Sequence, residues 1–153
     1  MSQTPQDDLA RVRAAAEELR RELVDDPVAL RARLEEPIPV RSATGELDSW
    51  FVALTTDDLL LGFFQLESDL TLHRYSTFQR TPGSTSECPP AATWLDLDTI
   101  RERARTAVAE SDQLEQPILG YHGNRDRIAW RVPIGNRRAS IYVVGDEVYT
   151  VAA

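Results

Sequence analysis

The chain has 153 residues, of which 17 are basic and 25 are acidic, so its formal net charge is -8 and its isoelectric point lies near 4.8. This balance argues against binding to nucleic-acid phosphates or to anionic membranes unless the basic residues cluster. A chain of this length fits one domain or two very small ones and normally buries about 70% of the surface that its unfolded form exposes. We therefore expect a real core and no nucleic-acid partner.

Composition also bears on where the protein works. All 17 basic residues are arginine, a bias that reflects a GC-rich, bacterial genome more plausibly than a binding function. Cys88 is the single cysteine, which excludes an internal disulfide and favours the cytosol. The first residues are polar and acidic, so we expect no signal peptide, and no apolar run approaches the roughly 20 residues that insert into a membrane. The expected location is the cytoplasm.

The N-terminal segment predicts an amphipathic helix. Thr4 is the expected N-cap, with Pro5 at the first helical position and Asp7 completing a capping box. Apolar residues then recur at spacings of three and four up to about Val24, namely Leu9, Val12, Ala16, Leu19 and Leu23. We expect this stripe to pack on the protein's own sheet. A homodimer through the N-terminal helix is the alternative, although the stripe is short for a coiled coil.

After a short second helix that Asp25-Asp26-Pro27 would cap, the pattern changes to strands. These are predicted at residues 38–41, 49–54, 59–66 and 70–80, with a polar corner at residues 55–58. If Leu54 pairs with Leu59, Val52 faces Leu61 and Trp50 faces Phe63. Leu60 and Phe64 make the third of these strands apolar on both sides, which is typical of a strand covered on both faces.

Residues 81–93 have the Pro, Gly, Ser and Thr content of a linker, so we predict one half at residues 1–80 and a second at 94–153. A helix is expected from Asp96 or Asp98 to about Ser111-Asp112. Its predicted buried stripe consists of Leu97, Ile100, Ala104 and Val108.

The last stretch, from Gln116 to Val151, predicts a meander of four strands joined by two-residue turns at Gly123-Asn124, Gly135-Asn136 and Gly145-Asp146. Counting outward from the turns sets Ile134 against Arg137, Val132 against Ala139, Trp130 against Ile141, Ile128 against Val143, Val143 against Val148 and Tyr142 against Tyr149. One face would then be apolar: Ile128, Trp130, Val132, Ile141, Val143 and Val148. The other face would be mixed: Arg127, Ala129, Arg131, Ser140, Tyr142, Val144, Tyr149 and Val151.

The two halves share an order of elements, which predicts an internal repeat. A shift of 80 carries Trp50 onto Trp130, Glu35 onto Glu115, Pro37 onto Pro117, Ile38 onto Ile118 and Val52 onto Val132. A helix followed by an antiparallel meander, used in tandem, resembles the PepSY-like and cystatin-like group of domains, carried here by residues 96–109 with 117–151 and more weakly by 27–66. The resemblance implies an α+β fold whose sheet wraps around its helix, and a non-catalytic role in binding or restraining a partner, often an enzyme.

The chemistry-bearing residues are few. His73 and His122 have no His or Cys at ligand spacing, and no phosphate-binding loop, dinucleotide fingerprint or nucleophile elbow is present. Cys88 has no neighbour that would lower the pKa of its thiol, so an inert loop thiol is the favoured interpretation, with a nucleophile paired to a distant His as the alternative. We predict no catalytic residue, no metal and no cofactor.

The mixed sheet face and the tip beside it are the candidate partner-binding site, with Arg131, Tyr142, Tyr149, Tyr121 and His122 as its residues. An ordinary turn and a half-solvated sheet side are the alternatives. The leading hypothesis is a non-catalytic protein-interaction module, such as a regulator, inhibitor or accessory factor. The other is a small enzyme or ligand-binding protein with a pocket between helix and curved sheet. An enclosed apolar pocket faced by His73 or His122 would favour the second hypothesis.

Overall fold

The computed structural model describes residues 5–152, and side chains from residue 7 to residue 150. It has the predicted α+β class, with an N-terminal helix and two antiparallel sheets. The chain divides into two compact units, each with its own helices and sheet. The first comprises Met1–Pro39 and Leu47–Pro90, and the second comprises Val40–Glu46 and Ala91–Ala153. Thr4, the predicted N-cap, lies outside the described residues.

The first unit combines helices with an antiparallel sheet of order β1-β3-β4-β5, in which β2 also pairs with β3 and runs into the segment Val40–Glu46. The elements are α1 (Pro5–Leu23), α2 (Pro27–Arg31), β1 (Arg33–Leu34), β2 (Ile38–Arg41), β3 (Leu47–Thr56), β4 (Leu59–Glu67) and β5 (Leu72–Thr77). The predicted stripe of α1 packs on β3 and β4, where it buries Val12 and Ala16 against Trp50 and Phe64. Nearly all of β3 and β4 is buried, as expected for strands covered on both faces.

The predicted register of β3 with β4 is wrong. The turn is shorter than the polar corner, because Thr55 and Thr56 continue the strand and only Asp57-Asp58 turns, with φ of 49° and 63°. Aspartate tolerates this left-handed conformation better than most residues, which suits a two-residue hairpin turn. A bulge after Leu60 shifts the pairing again, so Val52 faces Phe64 and Trp50 faces Leu66.

Asp26 links two segments of the first unit. Its carboxylate caps α2 by accepting from the amides of Val28 and Ala29, and it also accepts from the Gln79 side chain and the amide of Gly83. Burial raises the pKa of Asp26, but the hydrogen bonds outweigh burial and leave the pKa below its ordinary value of 3.8. The ionised carboxylate is therefore favoured by the fold.

We expect Asp26→Ala to lower the free energy of unfolding by about 1 to 2 kcal/mol at neutral pH. The substitution removes the N-cap of α2 and the hydrogen bonds that Asp26 accepts from Gln79 and Gly83. A lowered folded pKa contributes stability that is present above the unfolded pKa and lost as pH falls through the folded pKa. The difference between the variant and the wild type should therefore shrink below about pH 4.

Denaturant unfolding across this pH range measures the effect, with Asp25→Ala as the control, since the exposed neighbour removes the same charge without these hydrogen bonds. Equal losses for the two variants, or a difference that grows in acid, would contradict the role given to Asp26.

The second unit has a sheet of four consecutive antiparallel strands, β6-β7-β8-β9. Its elements are α3 (Ala91–Leu95), α4 (Leu97–Arg105), β6 (Ile118–Tyr121), β7 (Ile128–Ile134), β8 (Ala139–Val144) and β9 (Glu147–Ala152). Asp96 caps α4 as predicted, by accepting from the amide of Thr99. The helix ends well before Ser111, because the following residues turn back and the Asp112 carboxylate accepts from the amide of Ala109. Within the predicted buried stripe, Leu97 is exposed.

Two of the three predicted turns are longer than two residues. Ile134 faces Ala139 across a four-residue loop, so Trp130 faces Val143 and the predicted β7–β8 register is wrong by two residues. Tyr121 faces Ile128 across a six-residue loop. Gly145-Asp146 is the expected two-residue turn and sets Val143 against Val148. A shift of two residues preserves which side chains share a face, so the predicted apolar face survives the error.

That apolar face forms the core of the second unit. Trp130, Val132, Ile141 and Val143 are buried there, and Val148 is half-buried. Helix α4 packs on β7 and β8 and buries Ile100 and Ala104. The indole Nε1 of Trp130 donates a hydrogen bond of 2.7 Å to the backbone oxygen of Trp94. The buried Trp130 ring is thus packed in the core while its polar N–H group has a hydrogen-bond partner.

Trp50 and Trp130 are 9% and 4% exposed, and each lies on the second strand of its sheet. We expect Trp→Ala at either position to lower the free energy of unfolding by about 3 to 5 kcal/mol, because each leaves a large cavity. Trp130→Phe keeps most of the ring but loses the bond to Trp94, which should cost about 1 kcal/mol. Denaturant unfolding checks these values, and a loss below about 1 kcal/mol for either alanine variant would refute the shared core role.

Candidate partner-binding face

Three of the predicted site residues lie in a row across the sheet of the second unit. Arg131 on β7 faces Tyr142 on β8, and Tyr142 faces Tyr149 on β9. All three alternate with the core residues of their strands, so they lie on the side of the sheet away from Trp130. We call this side the outer face. Tyr149 is 40% exposed, whereas Arg131 and Tyr142 are half-buried.

His122 extends the row by stacking. The loop after β6 closes through a hydrogen bond from the His122 amide to the Arg127 oxygen, and Gly123, with φ of 97°, supplies the sharp turn. The imidazole centroid lies 5.0 Å from the ring centroid of Tyr142 and 4.9 Å from that of Tyr149. Three rings from three separate segments therefore form one cluster, which we call the aromatic cluster.

The Tyr149 hydroxyl is anchored within its own strand. It donates a hydrogen bond to the Glu147 carboxylate, and this bond is the main reason why the pKa of Tyr149 is raised. A phenol that donates to a carboxylate loses that interaction on ionisation, so the neutral form is favoured. The exposed Tyr149 ring is thus held by the hydrogen bond of its hydroxyl to Glu147 and by stacking on His122.

Tyr121 does not join the cluster. The register pairs Tyr121 with Ile128 and Leu119 with Trp130, so alternation puts the Tyr121 side chain on the core side of the sheet. The prediction grouped Tyr121 with His122 because both lie in residues 121–127, which were expected to form the hairpin tip beside the sheet face. A strand reverses the direction of successive side chains, and the β6 strand continues through Tyr121.

One end of the outer face is covered. Ala129, predicted to lie on the mixed face, is completely buried, and it pairs with Gly120. A Cβ at Gly120 would lie 3.0 Å from the backbone oxygen of Arg41, so the segment Val40–Glu46 of the same unit packs closely here. Two of the smallest residues make room for that approach. The exposed part of the face is therefore limited to the row from Arg131 to Tyr149 and the residues beyond it.

A groove of about 460 Å³ adjoins the row on its other side. Tyr142, Pro133 and Ser140 line it from the sheet, and Arg138 and Glu115 line it from the flanking segments. The sequence did not predict this groove, because it depends on the four-residue loop at Gly135–Arg138, which was expected to be a two-residue turn. Arg137, in the same loop, is held by the Asp112 carboxylate at 3.1 Å.

The charge of the chain is unevenly distributed. Residues 116–153 carry five arginines against three acidic side chains, a net charge of +2. The preceding 115 residues carry 12 arginines and 22 acidic side chains, a net charge of -10. The segment that forms the sheet of the second unit is therefore mildly basic within a strongly acidic protein.

The other candidate residues occupy ordinary structural positions. His73 Nδ1 lies 3.0 Å from a Glu67 carboxylate oxygen. Cys88 is buried, and burial, followed by the charge of Glu87, raises the pKa of its thiol, which opposes nucleophilic reactivity. Among the side chains of residues 7–150, no group of three or more His, Cys, Asp or Glu could hold a metal ion.

Comparison with protein-family models, with curated proteins and with solved structures finds no match to this chain. In the described part of the chain, no helix combines the length and the apolar character needed to cross a membrane.

We expect His122→Ala to disturb the aromatic cluster without unfolding the second unit. Stacked aromatic pairs contribute roughly 0.5 to 1.5 kcal/mol, so the loss of stability should stay at or below about 1 kcal/mol at this half-exposed position. The ring-proton NMR signals of Tyr142 and Tyr149 should both shift, because the imidazole ring current is removed. Tyr75, whose ring stacks on Phe64 at 4.8 Å in the first unit, is the internal control. Unchanged signals from both tyrosines would contradict the cluster geometry.

Proposed function

We propose that this protein is a non-catalytic protein-interaction module, a regulator, inhibitor or accessory factor, and that it binds its partner through the outer face of the second unit. The observation that carries the proposal is the row formed by the half-buried Arg131 and Tyr142 and the exposed Tyr149, with His122 stacked on both tyrosines. Tyrosine and arginine are enriched where proteins bind one another and supply most of the energy at interface hot spots.

The stacking supports the proposal on energetic grounds. A flexible side chain loses rotamer freedom when a partner immobilises it, which costs roughly 0.5 to 1.5 kcal/mol for each such side chain. Tyr142 and Tyr149 already contact the His122 ring, and the Tyr149 hydroxyl is already bonded to Glu147. Much of that ordering cost is therefore met in the free protein. A preorganised surface of this kind binds more tightly than the same residues on a mobile loop.

The alternative, a small enzyme or ligand-binding protein, has weaker support. It needs an apolar pocket faced by a histidine, yet His73 pairs with Glu67 and His122 stacks on tyrosines. A cleft of about 380 Å³ in the first unit is lined partly by apolar residues, including Tyr75, but Asp26 beside it is fully engaged in structural hydrogen bonds. Neither histidine lines this cleft.

The family and the origin of the two halves belong to the same proposal. In each unit a helix packs against consecutive antiparallel strands, which supports the resemblance to tandem PepSY-like or cystatin-like domains. The equivalent places of Trp50 and Trp130, each on the second strand of its sheet, support an internal duplication. We further propose a cytoplasmic location, with which the single free thiol of Cys88 is compatible.

The test is capture of the native partner from a lysate of the source cell, followed by identification by mass spectrometry. The double variant Arg131→Ala with Tyr149→Ala should abolish capture, because hot-spot truncations typically cost about 2 kcal/mol or more each. Its thermal stability should change little, since Tyr149 is exposed and Arg131 only half-buried.

The matched control is Arg21→Ala with Leu23→Ala, which removes one arginine and one large exposed side chain from α1 of the first unit. Capture that survives the first double variant, or that disappears equally with the second, would show that the outer face is not the binding surface.

A further inference from the structure

Arg131 is a half-buried residue whose guanidinium has no counter-ion among residues 7–150. Its side chain lies between Ile118 and Tyr142 in the row across the sheet. Other arginines of the second unit do have partners. Arg137 forms an ion pair with Asp112, and Arg105 donates hydrogen bonds to the backbone oxygens of Ala109 and Asp112. Between Arg131 and residues 7–150 there is no hydrogen bond, ion pair or ring contact.

The Arg131 guanidinium is accessible to a partner. Its nitrogens have no hydrogen-bond partner among the described residues, and none of them is buried. Its five N–H donors form a planar fork that matches a carboxylate. The outer face therefore offers a position for an oxyanion.

A second arginine lines the groove beside Tyr142, which is the neighbour of Arg131 in the row. Arg138 is exposed, lines the groove with Tyr142, Pro133 and Ser140, and likewise has no partner among the described residues. The Ser140 side chain faces the same groove and can donate a hydrogen bond. One cation at the row and one at the groove can thus hold successive anionic side chains of an extended segment.

We propose that the outer face takes an acidic peptide segment of its partner, with one carboxylate held by Arg131 and a second reached by Arg138. The proposal rests on the proposed function, because it names the chemistry of the partner for the same surface. Arg131 and Arg138 supply the charge complementarity at this face. The second unit as a whole has nine arginines and ten acidic side chains, so the complementarity is confined to these two positions.

The groove also holds one carboxylate. Glu115 lines it, with its Oε1 only 3.2 Å from the position a Gly135 Cβ would take. This negative charge opposes an anion in the groove, so we expect Arg138 to contribute less to the affinity than Arg131 does.

The experiment is an amide NMR titration of the full chain with two short acetylated peptides of equal length. The first alternates Glu with Gly, and the second has Gln in place of every Glu. The Glu peptide should shift amide signals around Arg131, Arg138, Ser140 and Tyr142, and the shifts should weaken as NaCl is added. The Gln peptide should leave them unchanged.

Arg131→Gln should weaken the affinity for the Glu peptide by about tenfold, because a charge-assisted pair is lost. Arg138→Gln should weaken it too, and it keeps the test valid if the first variant fails to fold, which the dispersion of its spectrum reveals. Arg21→Gln on α1 is the control for the same change of charge and should leave the affinity unaltered.

Three results would overturn the proposal: equal shifts from the Glu and Gln peptides, Glu-peptide shifts that map elsewhere, and an affinity that Arg131→Gln and Arg138→Gln leave unchanged. Equal shifts confined to the outer face would refute the acidic partner yet leave the face as a protein-binding surface. The lysate capture decides the proposed function independently of these peptides.

Discussion

The pairing of β7 with β8 is the constraint on which the second unit depends. The same backbone ladder that sets Trp130 against Val143 on the core side sets Arg131 against Tyr142 on the outer face. Because side chains alternate, a one-residue slip would exchange the two sets and put Trp130 in water and Arg131 in the core. The burial of Trp130, Val132 and Ile141 therefore fixes the geometry of the outer face as firmly as that of the core. A candidate binding surface built in this way needs few interactions of its own to stay in place.

The first unit depends on a different kind of connection. Helix α1 covers its sheet, but the segment after β5 forms neither a helix nor a strand. Asp26 holds this segment by accepting hydrogen bonds from the Gln79 side chain and the amide of Gly83. One carboxylate thus combines a local task, capping α2, with a long-range one. Hydrogen bonds to a charged acceptor are about twice as strong as neutral ones, which explains why a partly exposed aspartate can order a loop.

Periodicity predicted the fold class and most elements, because the contrast between helical and strand spacing is a local property of the sequence. It failed where the length of a loop sets the register of the strands. Gly135-Asn136 and Gly123-Asn124 both look like two-residue turns, yet only Gly145-Asp146 forms one. The predicted partner of Trp130 was wrong by two residues. Because two is an even number, the same side chains still share a face. In β3 and β4 a bulge, which leaves no clear trace in the sequence, moved the partner of Val52 to Phe64.

The candidate site was likewise only partly predictable from the sequence. Arg131, Tyr142 and Tyr149 could be grouped from strand alternation alone, and the structure puts them in one row. Tyr121 could not be placed, since its direction depends on where β6 ends. The stacking of His122 and the groove beside Tyr142 arise from the paths of two irregular loops. Those paths depend on tertiary contacts that the sequence pattern does not record.

The segment Val40–Glu46 belongs to the second unit although residues on both sides of it belong to the first. No single cut can therefore separate the two units, and a fragment starting at Ala91 would lack part of its own structure. Such a fragment would leave the small residues Gly120 and Ala129 uncovered beside the aromatic row. The two units are therefore interleaved along the chain and have to be made as one piece.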